Sequence, residues 1–391
     1  MSKWKFVGTW VLTLCFLFPI LTSTATAAPS RTEASLSLSA QSAILIEAES
    51  GEIVFSKDAD HPLPMASTTK IMTALTALSL ASPDTLILTD AAAVGIEGSS
   101  IYLIENEQLT LEQLLYALLL ESANDAAAAI AIGLSGSIEA FAKEMNRVAI
   151  DLGLRQTHFT NPHGLDHEEH FTTAYELAMI TRTALQNELI RQIVSTRKTT
   201  IPHNGTDGSR LLINHNKLLR LYDGCIGVKT GFTKRSGRCL VSAAERDGVT
   251  LIAVTLNAPN DWNDHTAMLD YGFTCYRSVL LCEKEDYLFP LSLVSGADSY
   301  VMLCNMEELR VTLPTGYGKI TKTIEAPRFE YAPIAEGQTL GRVVWRSDIN
   351  GDGSCEIIGE TELVACYSVK KQVKRRSFWQ WLKDLFGLSA T

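Results

Sequence analysis

The chain predicts an α/β (α+β) protein in which an antiparallel sheet flanked by helices is followed by a small all-β domain. Three observations carry that expectation. Before Leu281, short apolar runs that read as strands stand at the two ends of a helical middle. After Leu281, brief alternating strands recur between turns. At 391 residues the chain also has room for more than one domain.

In chain order, residues 1–27 read as a signal peptide and stand apart from the fold. Lys3 and Lys5 form a positive n-region, Phe6 to Leu21 an apolar core, and Ala25-Thr26-Ala27 a small-residue cleavage site before Ala28. Cys15 lies inside that core after Leu14 and reads as part of it, not as a lipid attachment site. The mature chain is then exported, to the outer face of the cytoplasmic membrane or the cell wall. Residues 43–47 and 52–55 form a hairpin. Helices follow at Leu111 to Leu120, Asp125 to Leu134, Ile138 to Leu152 and Thr173 to Gln186. Strands return at Gly227 to Lys229, Arg238 to Ala244 and Thr250 to Asn257, and a helix near Trp262 to Tyr271 closes the domain, so the chain ends should meet in one sheet.

The divisions expected are 28–285 for this domain, 286–368 for a β-rich one, and 369–391 for an amphipathic helix. The β-rich strands read as Tyr300 to Leu303, Leu309 to Leu313, Ile320 to Ile324, Arg342 to Trp345 and Glu356 to Ile358. Asp348-Ile349-Asn350-Gly351-Asp352-Gly353 looks like the opening of a calcium loop. Position twelve would be Gly359 and strands flank the segment, so a hairpin turn is the better reading. At the end, Lys370, Lys371, Lys374, Arg375 and Arg376 precede Phe378, Trp379, Trp381, Leu382, Leu385 and Phe386 on one helical face. That is the pattern of a helix lying on an anionic membrane surface, too short and charged to span it; packing against its own chain is the alternative.

The formal charge of −10 argues against nucleic acid as a partner. Seven cysteines remain beyond the leader, an odd number without C-x-x-C spacing, which reads as free buried thiols and neither a disulfide framework nor a zinc site. His163 and His167 have helical ligand spacing, but Asn161-Pro162-His163-Gly164 is a turn, and no metal or cofactor is expected.

The chemistry centres on Ser67 and Lys70. They stand three apart where Pro64-Met65-Ala66 gives way to a helix-forming run, so one helical turn sets hydroxyl and amine on one face. A lysine crowded by another cation in a dry cleft loses its proton and can take one from serine. Ser122-Ala123-Asn124 falls on a short interhelical loop, and Lys229-Thr230-Gly231 ends an apolar strand followed by Phe232-Thr233. Taken singly, these residues have plainer roles: Asn124 could cap the following helix and Lys229 could be a surface cation.

Together, S-x-x-K, S-x-N and K-T-G resemble the motif set of penicillin-binding proteins and serine β-lactamases, with Ala123 where Asp is usual. Residues 66–74, 121–126, 159–165 and 227–233 are more closely similar to the low-molecular-mass D-alanyl-D-alanine carboxypeptidases, and the likeness runs from about Ser39 to Tyr367, including Ala332 to Gly341 in the second domain. The resemblance implies a transpeptidase-like α/β fold and a serine enzyme that trims D-alanine from peptidoglycan pentapeptide stems through an acyl-enzyme, with β-lactams as acylating inhibitors. It implies that Ser67 is the nucleophile, Lys70 the base and Ser122 a proton relay. Asn124 would hold the substrate amide and Lys70, Lys229 would supply positive potential, and Thr230 would bind the terminal carboxylate. The amides of Ser67 and Phe232, just past Gly231, would form the oxyanion hole. One departure stands out. An arginine that relatives carry near the end of the late strands is missing from Asn257 to Asp264, leaving Arg235, Arg238 or Lys229 as substitutes. Two other functions fit parts of the pattern: a serine β-lactamase, which needs a carboxylate for its deacylating water, and a catalytically silent wall-binding protein.

Overall fold

Strand β1 (Ser42–Glu47) explains its own sequence: every residue is buried, because helices cover both faces. Ile44 and Ile46 point into one core with the middle helices, whereas Ala43 and Leu45 point into a second with the closing helix. The computed structural model of the protein describes residues 36–203, 208–349, 351, 353–372 and 382; the expected leader 1–27 and, but for 369–372 and Leu382, the expected C-terminal helix lie outside them.

β1 turns back into β2 (Ile53–Lys57), and a 3₁₀ turn at Ala66–Thr69 runs straight into α1 (Lys70–Leu80). A short ladder, β3 (Leu86–Leu88) with β4 (Gln108–Thr110), leads to α2 (Leu111–Tyr116). Thr110 and Gln113 close a capping box at its start. One π turn, Ala117–Glu121, follows. The middle is completed by α3 (Asn124–Ser135), α4 (Ile138–Asp151), α5 (Ala174–Leu185) and α6 (Glu188–Ser195). Next come the hairpin β5 (Lys198–His203) and β6 (Gly208–Ile213), and the short α7 (Leu218–Leu221). β7 (Cys225–Thr233), β8 (Gly237–Arg246) and β9 (Val249–Leu256) return to the sheet before α8 (Asp261–Cys275). The sheet order is β2-β1-β9-β8-β7, antiparallel throughout, so the chain ends meet at β1 and β9 as expected. His265 on α8 bonds Ser242 of β8 and Thr255 of β9, fastening helix to sheet.

The β-rich part contains β10 (Tyr276–Cys282), β11 (Phe289–Val294), β12 (Tyr300–Cys304), β13 (Leu309–Pro314), β14 (Thr321–Glu325), β15 (Phe329–Tyr331), β16 (Thr339–Ser347) and β17 (Glu356–Ala365). β10 pairs with β13, and the others form a six-stranded sheet around Leu291, Val301, Leu303, Val343, Trp345 and Leu363. β10 lies just before the division expected at 286. It begins directly after α8 and belongs by pairing to the second part, but no Gly or Pro marks the change in sequence. The segment at Asp348 joins β16 to β17, and its carboxylate accepts the N–H groups of Gly351 and Gly353.

Candidate active site

The residue before Ser67 is held in an unusual backbone shape: Ala66 has φ 47°, a region alanine seldom enters. Neighbours over-determine that shape. Thr68 N–H and its hydroxyl both donate to the carbonyl of Met65, and Thr69 Oγ1 donates to that of Ala66 at 2.7 Å. Gly164, at φ +87°, packs so closely that a Cβ there would lie 2.0 Å from the Ala66 oxygen. His170 completes the arrangement from below. The N–H of Thr160 donates to its Nδ1 at 3.0 Å, so the ring proton sits on Nε2 and is donated to Thr69 Oγ1 at 2.8 Å. Burial holds His170 neutral, with its pKa lowered to about 3.

Lys70, fully buried at the start of α1, lies with Nζ 3.0 Å from Ser67 Oγ, 2.7 Å from Asn124 Oδ1 and 2.5 Å from the carbonyl oxygen of His163. No carboxylate is among these partners. Its pKa is pushed well below the usual lysine value, first by burial, then by the Lys229 charge, against a smaller opposing pull from Asp125. Burial thus outranks the neighbouring cation that the sequence pointed to. A neutral amine has two N–H bonds, which Asn124 and His163 accept, and one lone pair left for the Ser67 hydroxyl.

Asn124 does not cap its helix. The N-cap is Ala123 without a side-chain bond, and the Asn124 side chain bridges instead from Lys70 to the carbonyl of Glu97. Its own N–H reaches the Ser99 carbonyl, and Gly98 leaves room for the amide, since a Cβ there would stand 2.7 Å from Nδ2. Ser122 occupies the left-handed region at φ 61°, where its N–H closes the π turn onto Ala117. Non-glycine residues held there mark places where the surroundings fix the backbone. Among the described residues no hydrogen bond joins the Ser122 hydroxyl to Ser67, Lys70 or Lys229.

β7 is the terminal strand of its sheet and passes alongside the nucleophile turn. At Gly231 a Cβ would meet Ser67 N at 3.0 Å and Met65 O at 3.1 Å, so only glycine brings this strand so near the Ser67 amide. Lys229 is buried, donates to the Thr230 carbonyl at 2.9 Å, and has its pKa lowered by burial to about 7, with Glu121 opposing. Thr230 is half-buried and the Phe232 side chain is exposed. Of the proposed arginine substitutes, Arg238 is already paired with Asp261 at 2.9 Å and lies over Trp262, while Arg235 is exposed on the β7–β8 turn. His163 is buried, with its carbonyl given to Lys70, whereas His167 is exposed.

Sequence reading thus named Ser67, Lys70, Asn124 and Gly231, which the structure brings together. It missed Glu97, Gly98 and Ser99, whose backbone sets Asn124, and it gave His170 no part in the site.

Comparison with known proteins identifies the family. Residues 25–260 match the family model of the D-alanyl-D-alanine carboxypeptidases. The chain is 32% identical over 358 residues to the D-alanyl-D-alanine carboxypeptidase DacF of Bacillus subtilis, covering 89% of each. To DacC of Escherichia coli it is 31% identical over 346 residues, or 84% of each. Among solved structures, penicillin binding protein 5 from Haemophilus influenzae superposes with a TM-score of 0.62 at 25% identity, over 86% of this chain and 99% of that one. The Streptomyces K15 DD-transpeptidase superposes at 0.58 with 32% identity, over 61% of this chain and 98% of that one.

Proposed function

Since this chain belongs to the D-alanyl-D-alanine carboxypeptidase family, a serine-type peptidase and penicillin-binding protein of the cell wall, we propose that Ser67 and Lys70 perform its reaction in the following way. The Ser67 hydroxyl gives its proton to the neutral Lys70 amine and attacks the carbonyl between the two terminal D-alanines of a peptidoglycan stem. The amides of Ser67 and Phe232 receive the charge that develops on the carbonyl oxygen, and the approach of β7 at Gly231 supports that pairing. Ser122 passes a proton to the departing D-alanine nitrogen. Asn124 fixes Lys70 and the substrate amide. Lys229, Thr230 and the exposed Arg235 attract the terminal carboxylate. Water, activated by the same Lys70, then hydrolyses the ester, and the reaction is carboxypeptidase cleavage. β-Lactams enter by the first step and remain on Ser67.

The observation that carries this reading is the partner set of Lys70: two carbonyl-type oxygens and one hydroxyl, with no carboxylate to keep the ammonium charged. Neither a β-lactamase nor a silent wall-binding protein is favoured by any contact in the site. The test compares release of D-alanine from a pentapeptide with labelling by fluorescent penicillin. Ser67→Ala is expected to abolish both. Lys70→Arg is expected to be nearly as damaging, because guanidinium stays protonated. Near-normal acylation by either variant at neutral pH overturns the assignment.

The leader pattern at 1–27 supports export, and the basic and aromatic run from Lys370 supports attachment to the outer face of the cytoplasmic membrane.

A further inference from the structure

We propose that Cys304 and Cys366 are joined as a disulfide in the mature protein, fastening the end of β12 to the chain just beyond β17. All seven cysteines of the mature chain lie among the described residues, and this is the pair whose sulfurs meet, at 2.8 Å. The register explains why. Leu303 pairs with Ala365 and Cys304 with Val364, and the N–H of Cys366 donates to the carbonyl of Met302. Cys366 therefore stands across from Met302, and Cys304, two residues further along β12, projects from the same face. Diagonal neighbours on adjacent strands ordinarily stand about 7–8 Å apart, within reach of side chains, and here the two sulfurs close that distance. Cys304 ends β12 and Cys366 follows the last residue of β17, so the register of the two strands brings the thiols together.

The two sulfurs differ in access. Cys304 is 5% exposed, while Cys366 is only partly buried, so a dissolved oxidant meets Cys366 first. The oxidant required is an external disulfide. The Cys366 thiolate attacks it, forming a mixed disulfide and releasing one thiol; the Cys304 thiolate then attacks the Cys366 sulfur and releases the second. Two protons leave the protein and two electrons pass to the external disulfide. Burial, followed by the hydrogen bond with Cys304, pushes the Cys366 thiol up to about 11, so thiolate is scarce at neutral pH and the oxidant must be in excess.

The bond would enclose β13 to β17. It would also sit just ahead of the contacts in which Val369 pairs with Ile334 and Lys371 with Gly296. A staple there fastens β12 to the chain just past β17 in the β-rich part.

The test uses the mature protein, residues 28–391, incubated with excess cystine, then denatured and alkylated with iodoacetamide. The expected result is loss of both Cys304 and Cys366 from the alkylated cysteines and a single linked peptide pair containing them, with the exposed Cys355 carrying at most a separate half-cystine. The oxidised form should melt at a higher temperature than the reduced form, and that difference should vanish in Cys304→Ser and in Cys366→Ser. Should either variant fold poorly, the linked Cys304–Cys366 peptide pair from the unaltered protein decides by itself. Seven alkylated cysteines after cystine, a persistent cystine adduct on Cys366, or a linkage to another cysteine would overturn the inference. D-alanine release is expected to be equal in both redox forms, so an inactive but correctly linked protein would count against the proposed reaction and leave the disulfide standing.

Discussion

The side-chain oxygen of Asn124 lies 2.7 Å from the amine of Lys70, which stands 3.0 Å from the Ser67 hydroxyl. An amide at this place orients the amine without charging it. Asn124→Asp puts a carboxylate there, which favours the ammonium form and raises the Lys70 pKa. Penicillin acylation at pH 7 should fall about 100-fold or more, with the acid limb of its pH profile displaced upward. Asn124→Ala should slow acylation without that displacement. An unchanged profile in the Asp variant would show that Lys70 does not act as the base.

Gly164 is the residue whose replacement should act most directly on the nucleophile turn. A methyl group at this site collides with the Ala66 carbonyl and must also adopt φ +87°. Gly164→Ala should destabilise the protein by about 3 kcal/mol or more, combining backbone strain and displacement of packed atoms. Urea unfolding followed by penicillin labelling of the remaining folded protein separates the two effects. Full stability with a normal acylation rate would contradict the close approach.

Lys229 gives the site a basic limb. With its pKa lowered to about 7, it is largely charged below that pH and loses charge above it. KM for a D-alanyl-D-alanine peptide should therefore rise as pH increases through neutrality, since the free carboxylate meets less positive charge. In Lys229→Arg the charge persists, and the rise should move to higher pH or disappear. A KM that stays flat from pH 6 to 9 in the unaltered enzyme would rule out Lys229 as a carboxylate partner.

Removal of residues 373–391 should detach the mature protein from membranes and leave activity on soluble peptide unchanged. The cut belongs after Gln372, not before Lys370, because the carbonyl of Lys370 accepts from Ala297 and the N–H of Gln372 donates to Ser295. Binding of the full chain to anionic vesicles should weaken with salt, each Lys or Arg near the surface contributing about 1 kcal/mol. Sedimentation of the shortened protein with membranes would point instead to a segment that packs on its own chain.

What the sequence revealed and what it hid have separate physical causes. Ser67 and Lys70 are legible because a helical turn fixes their relation locally, and β1 is legible because burial on both faces writes an unbroken apolar run. The β5–β6 hairpin has no such run: Ile201 and Leu212 are its buried apolar residues, and Pro202 interrupts the pattern. Helix α6 is too short for its period to stand out. His170 acts through Thr69, a hundred residues away in sequence, and no local spacing encodes that contact. Asn124 itself was visible, but the loop carbonyls that turn its side chain away from a capping role were not.

The order of the first sheet also bears on when activity appears as the chain is made. β1 finds its first partner at once in β2, but its other edge stays open until Val249–Leu256 has been delivered. Pairings so distant in sequence close slowly. Gly231 and the amides beside it ride on β7, which is linked to β1 only through β8 and β9. A nascent or in-transit chain therefore carries its hydroxyl long before it carries the strand that flanks it, and a fragment ending at Asp247 is expected to bind no penicillin. Activity is therefore expected only once the catalytic sheet is complete.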